Sequence, residues 1–230
     1  MTNTELFSGK AHAYADARPG YPDEVMEYIT ALVPHDAVFA DIGAGTGKFT
    51  TIIARYGYEV FAVEPNADMR ELLANELKQF LNAKIVPGTA EVTMLPDNSV
   101  DVMTCAQALH WFDPEGFREE CKRIGKPGYI VIGIHNVAPG EDSVLNGSQG
   151  THDFFKAPVV KEFPNPIYYT RDSWVNYMLS HSKDPLPSDP EYVTHIEKVN
   201  AIFDRDNVDG LLRRDVVSKV YCESSNIKRA

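Results

Sequence analysis

Cysteine is scarce: Cys105, Cys121 and Cys222 are the only three in 230 residues. They are dispersed and odd in number, which argues against a CxxC metal site and a disulfide framework. A reducing compartment, the cytoplasm, is the expected location. Basic residues are also in short supply, 22 Lys and Arg against 33 Asp and Glu, for a net charge of -11. Phosphate backbones need clustered cations, and the only basic pairs here, Arg213-Arg214 and Lys228-Arg229, read as solvated surface. Neither a nucleic-acid nor a membrane partner is expected. No apolar run reaches 18 residues, and MTNTELFSGK lacks the charged-then-apolar order of a secretory signal. Internal repeats and low-complexity tracts are absent as well.

What the chain does have is an apolar run, Val38-Phe39-Ala40, entering Asp41-Ile42-Gly43-Ala44-Gly45-Thr46-Gly47. A buried strand that meets three alternating glycines becomes a tight turn whose backbone a ligand can approach. A second apolar run, Val60-Phe61-Ala62-Val63, ends on Glu64. That spacing suits an acid accepting hydrogen bonds from ribose hydroxyls. Three ligands compete for such a turn. A phosphate loop fails because Ile42 and Phe49 stand where Gly and Ser or Thr are needed. The dinucleotide fingerprint is one residue short before its last glycine, and Asp41 would repel a pyrophosphate. S-adenosylmethionine carries no phosphate, and Asp41 suits its ammonium, directly or through water.

Strand-like and helix-like segments alternate, as in a parallel sheet covered on both faces. Strands are predicted near 37–42, 59–63, 84–87, 99–105 and 128–135, and helices near 22–33, 47–56, 67–80 and 114–124. The Gly125-to-Gly128 stretch is expected to close the fourth helix. Residues 136–152, rich in Gly, Ser, Asn and Asp, read as a long loop over the strand ends. Further helices are expected over 172–182 and 189–204, and strands over 161–169 and 215–222.

Four segments, FSGKAHAYADARPGYP, VFADIGAGTGKFT, FAVEPNADM and GTAEVTMLPDNSVDVMTCAQALHWF, resemble class I S-adenosylmethionine-dependent methyltransferases, most closely the small-molecule subgroup that includes trans-aconitate methyltransferase-like proteins. The resemblance covers residues 7 to about 135. It implies one α/β domain over 1–230, a doubly wound seven-stranded sheet, mostly parallel with an antiparallel last strand. Within it, 1–22 would form an N-terminal cover and 136–215 a variable substrate-side region. It also implies a cofactor site. Gly43, Ala44, Gly45 and Thr46 would line the methionine moiety, and Glu64 and Pro65 would hold the ribose. Thr89, Ala90 and Glu91 would edge the adenine; many relatives carry Asp at the position of Thr89. Gln107 and Ala108 would meet the methionine amine.

Methyl transfer to a carboxylate needs no base, whereas a hydroxyl or amine acceptor benefits from one. His110, beside Trp111 after the fourth strand, is the first candidate base, and His135, closing the fifth strand, the second. Tyr14, Tyr21 and Trp111 can face a sulfonium with their rings, Arg18 can pair with a carboxylate, and Trp174 with Tyr177 can wall the acceptor. No metal ligands are recognisable. Each residue has a plainer reading. Asp41 can cap the turn, Glu64 can be a first-turn acid, and Gly47 can serve close packing. Glu91 can be solvated, His110-Trp111 can only wall the cofactor, and Trp174 can be core. The expected activity is methylation of a small-molecule acceptor by a monomer or homodimer. A non-catalytic cofactor-binding protein and a nicotinamide-dependent oxidoreductase are the alternatives.

Overall fold

The runs Phe39-to-Ile42 and Val60-to-Val63 have no consistent polar side, so neither can lie on a half-wet sheet. Both are central strands with apolar cover on each face. The computed structural model describes residues 20–139, 153–180 and 185–225. Its main sheet contains β1 (Val38–Ile42), β2 (Glu59–Val63), β3 (Ala83–Val86), β4 (Val100–Ala106), β5 (Gly125–Val137), β6 (Val159–Pro164) and β9 (Val217–Ser224). Their order is β3-β2-β1-β4-β5-β9-β6. The first five pair in parallel, and β9 inserts antiparallel between β5 and β6. This is the mixed α/β sheet that the resemblance implies. The chain runs outward from β1 to β3 and then returns to lay β4 on the other side of β1. That reversal leaves a crevice at the carboxyl ends of β1 and β4.

Alternating residues feed two cores. On one face, Phe39, Val60, Val102, Ile132 and Val220 meet Val25, Met26 and Ile29 of α1 (Asp23–Thr30) and Phe49 and Ile53 of α2 (Lys48–Arg55). On the other, Ala40, Met103, Cys105 and Val131 meet Phe117, Cys121 and Ile124 of α4 (Pro114–Ile124). Helix α3 (Ala67–Leu77) starts at Asn66, whose side chain accepts from Met69 N, as the sequence leads one to expect of an N-cap.

Two predictions about elements change. The single strand expected over 161–169 breaks at Asn165-Pro166, since proline supplies no ladder donor. Its second part becomes β7 (Ile167–Tyr169), which pairs with β8 (Leu212–Arg214) in a separate ribbon. With α5 (Arg171–Leu179) and α6 (Tyr192–Asp206) this ribbon encloses its own core of Tyr169, Trp174, Val199, Phe203 and Leu212. Gly125 closes α4 as expected, its N–H given to Cys121 O, but strand β5 begins at that same residue rather than after Gly128. A register shift between Val100 and Val102, and Gly128 at φ 89°, absorb the irregularity. Of the loop expected over 136–152, residues 136 and 137 extend β5, and 140–152 lie outside the described residues.

Candidate cofactor and acceptor site

The turn after β1 is built from backbone. Gly43, Gly45 and Gly47 all adopt positive φ, at 70°, 58° and 91°, a region that costs a side-chain-bearing residue about 1–2 kcal/mol. The three serve different ends. A Cβ at Gly43 would come within 2.8 Å of Ala108 Cβ, so its absence lets the turn press against the segment after β4. A Cβ at Gly47 would meet Leu73 Cδ1 at 2.6 Å, so this glycine serves packing between α2 and α3. A Cβ at Gly45 would meet nothing within 4 Å among the described residues. That side of the turn is open, as a ligand cradle requires.

Glu64 leaves the end of β2 and reaches under the turn. Its Oε2 accepts from Gly45 N at 2.9 Å and its Oε1 from Asn66 N at 2.8 Å. Burial pushes its pKa up, and the two backbone donors and Arg70 oppose that shift. Arg70 Nη1 donates to the carbonyls of Glu64 and Pro65, fixing the chain just past the acid.

Asp41 does not line the turn; it stands behind it. Only 1% exposed, it accepts from Thr50 Oγ1 at 2.6 Å and from Thr104 Oγ1 at 2.9 Å. Desolvation raises its pKa to about 6, the two hydroxyls pull against that, and Glu64 adds to it. Its carboxylate therefore ties β1 to α2 and β4, and contact with an ammonium is expected through intervening groups rather than directly. Thr50 and Thr104 were missed in sequence; a hydroxyl inside the apolar run of β4 was the available signal.

The segment expected to edge the adenine is largely self-satisfied. Thr89 Oγ1 accepts from Val92 N at 3.1 Å, and Ala90 is buried. Glu91 Oε1 accepts from Asp113 N at 3.0 Å, holding the start of α4. Across the crevice, Gln107 takes φ 58° and donates its N–H to Ile134 O at 2.8 Å. A non-glycine residue held in that region marks a place where the surroundings dictate the backbone. Ala108 and Thr46, also expected in the site, are buried beside the turn and within it.

After Ala108 a short 3-10 turn, Leu109–Trp111, carries exposed His110 and half-buried Trp111, their ring centroids 4.8 Å apart. His135, at the carboxyl end of β5, lies 6.5 Å from His110 between centroids and 6.2 Å from Tyr221. Thus the structure brings both candidate bases together. Tyr21 packs edge-on against Phe49 at 5.2 Å. Trp174 sits elsewhere: it is 2% exposed in the accessory core, and its Nε1 donates to Val199 O at 2.9 Å. The ring expected to wall an acceptor is enclosed by its own unit. Tyr14 and Arg18 lie outside the described residues. Among the described residues no helix is long and apolar enough to cross a membrane, and no His, Cys, Asp and Glu group is arranged for a metal.

Comparison with known proteins agrees with this geometry. Residues 40–132 match the family model described as a methyltransferase domain. An uncharacterized methyltransferase of Mycobacterium tuberculosis is 38% identical over 122 residues, 53% of this chain and 48% of the relative. The chain thus spans about half the length of the curated relatives it matches. A candidate type II methyltransferase of Anaeromyxobacter dehalogenans has the same fold, with a TM-score of 0.68 at 19% identity over 90% of this chain and 97% of that one. So does a Thiobacillus denitrificans S-adenosylmethionine-dependent methyltransferase solved with S-adenosylhomocysteine, with a TM-score of 0.56 at 16% identity over 96% and 98% of the two chains. Strand order, the glycine turn with its acidic partner, and the match over residues 40–132 all resemble the class I S-adenosylmethionine-dependent methyltransferases.

Proposed function

We propose that the chain binds S-adenosylmethionine at the carboxyl ends of β1, β2 and β4 and directs its methyl group to an oxygen, a nitrogen or a carboxylate of a small molecule. One observation carries the cofactor: among the described residues nothing stands where a Gly45 side chain would be, while Glu64 holds the turn from the other side by one oxygen. A carboxylate has about four acceptor positions, and the two N–H donors to Glu64 leave capacity for ribose hydroxyls. The same bond speaks against a dinucleotide. Gly45 N–H is given to Glu64, so one of the backbone donors that a pyrophosphate needs is already engaged.

When bound, S-adenosylmethionine supplies an electrophilic methyl carbon on a sulfonium. The protein's part is alignment: turn and acid hold one end, the Gln107-to-Trp111 segment shapes the other. Holding two reactants in line is worth effective molarities of roughly 10⁵–10⁸ M. The resemblance to the small-molecule subgroup and the acidic surface favour a small acceptor over a nucleic acid. The three free cysteines favour the cytoplasm.

Calorimetric titration with S-adenosylmethionine, S-adenosylhomocysteine and NAD tests the reading. Micromolar binding of both adenosyl ligands with none of NAD is the expected result. Binding of NAD alone would replace the methyltransferase reading with the oxidoreductase one.

A further inference from the structure

His110 and His135 are far apart in sequence, yet a specific seat brings them together. Leu109 is buried against β5 at Gly133, where a Cβ would come within 2.7 Å of Leu109 Cδ1. Gly133 and His135 point to the same face of β5, because side chains two residues apart share a face. Seating Leu109 at Gly133 therefore sets the next residue, His110, over the end of β5 beside His135. The ring of His110 is then flanked by Trp111 and by His135, at 4.8 and 6.5 Å. At 6.5 Å the two imidazoles are too distant to pass a proton directly, so their coupling is through space.

We propose that His110 is the catalytic base of this site and His135 its positioning residue, so that the acceptor carries a removable hydrogen on a hydroxyl, amine or thiol rather than being an ionised carboxylate. The inference rests on the methyltransferase reading. As the acceptor atom bonds to the methyl carbon, the carbon–sulfur electron pair stays on sulfur. The acceptor's proton passes to an imidazole nitrogen of His110, and then to water. Burial decides which ring takes it. His135 is 3% exposed, and desolvation, with the charge of a protonated His110 adding to it, lowers its pKa to about 3. It stays neutral while His110 charges, and offers that cation a polar neighbour. The same face of the sheet carries Tyr221, Lys219 and Glu223 of β9 and buried Cys105 of β4, and Lys219 is paired with Glu162 of β6 at 3.0 Å.

The test combines imidazole NMR titration, calorimetry with S-adenosylhomocysteine, and a panel of small phenols, amines, thiols and carboxylic acids offered with methyl-labelled S-adenosylmethionine. In the native protein the His135 resonance is expected not to titrate between pH 5 and 9. Label is expected in the proton-bearing acceptors, with a rate that rises with pH to a plateau. His110→Gln should lower that rate roughly 10²–10⁴-fold and leave S-adenosylhomocysteine affinity unchanged. His135→Phe, which fills the same space, should move the midpoint of that pH–rate profile to lower pH and reduce kcat at constant KM; His135→Gln should restore part of both. Label confined to carboxylic acids, at a pH-independent rate that His110→Gln does not change, would overturn the inference and leave the cofactor reading intact. An unmoved midpoint in His135→Phe would reduce His135 to packing. Absence of S-adenosylhomocysteine binding would bring down the broader reading as well.

Discussion

The proposed donor side and the proposed acceptor side of the crevice are made of different material. On the donor side the work is done by main chain: three positive-φ glycines, two N–H groups given to Glu64, and a buried acid behind them. On the acceptor side it is done by side chains, His110, Trp111 and His135, brought in from the ends of two strands. Backbone geometry leaves a mark in sequence, because only glycine tolerates those angles cheaply. A side-chain constellation leaves no such mark, because its members meet only after the sheet has formed.

That contrast can be broken or sharpened experimentally, and the largest effect is expected far from both sides. Trp174→Ala should cost about 3–5 kcal/mol of stability, as large-to-small core changes do, while the folded fraction keeps its affinity for S-adenosylhomocysteine. Denaturant unfolding alongside calorimetry checks both; a loss of affinity would mean that the accessory core shapes the donor side.

Next comes the buried acid. The folded pKa of Asp41, about 6, lies above its ordinary 3.8. The folded state therefore binds the proton more tightly, and stability should rise as pH falls from 7 through 6 toward 4. The full gain is roughly 3 kcal/mol for a shift of this size. Asp41→Asn should flatten that limb in pH-dependent unfolding. Below pH 4.5 a second carboxylate reverses the trend. Burial opposes the charge of Glu120, but hydrogen bonds from Arg123 and Thr93 hold its pKa down to about 2, so its contribution fades as pH approaches 2.

Glu64→Ala is expected to weaken S-adenosylhomocysteine by roughly 1.5–3 kcal/mol, about tenfold to a hundredfold. Unchanged calorimetric affinity would leave Glu64 a strut of the turn. Smallest in stability is Gly45→Ala. Among the described residues nothing stands in the way of its Cβ, so unfolding should shift by about 1 kcal/mol while affinity falls much further. Gly47→Ala, pressed on Leu73, should show the opposite ranking.

The legibility of the sequence follows the same divide. Strands β1, β2 and β4 lie within a residue of their predicted limits because each is a mostly apolar run between turn signals. The ribbon of β7 and β8 was not separable: Ile167-Tyr168-Tyr169 continues an apolar pattern across Asn165-Pro166, and Leu212-Arg213-Arg214 is short and basic. Asp41 was recognised as important but assigned to the ligand. What engages it, Thr50 and Thr104, comes from a helix and a strand whose register no local pattern reveals. His110 and His135 were each singled out, but their meeting depends on the Leu109 seat at Gly133, a contact between the 3-10 turn after β4 and strand β5.

Strand β6 ends the sheet with exposed Val159, Val160, Lys161 and Glu162, and this bears on how the protein behaves when crowded. A second copy adding its own β6 antiparallel would be related by a two-fold axis perpendicular to the sheet. Such an axis keeps each face on its own side, so only residues of like parity can oppose one another. The central registers then set Lys161 against Lys161, or Glu162 against Glu162, which is repulsive. Glu162 already engages Lys219, leaving Lys161 as the sentinel against edge-to-edge pairing of two copies. Lys161→Thr should lower the concentration at which light scattering first detects association, with no change in the folded monomer.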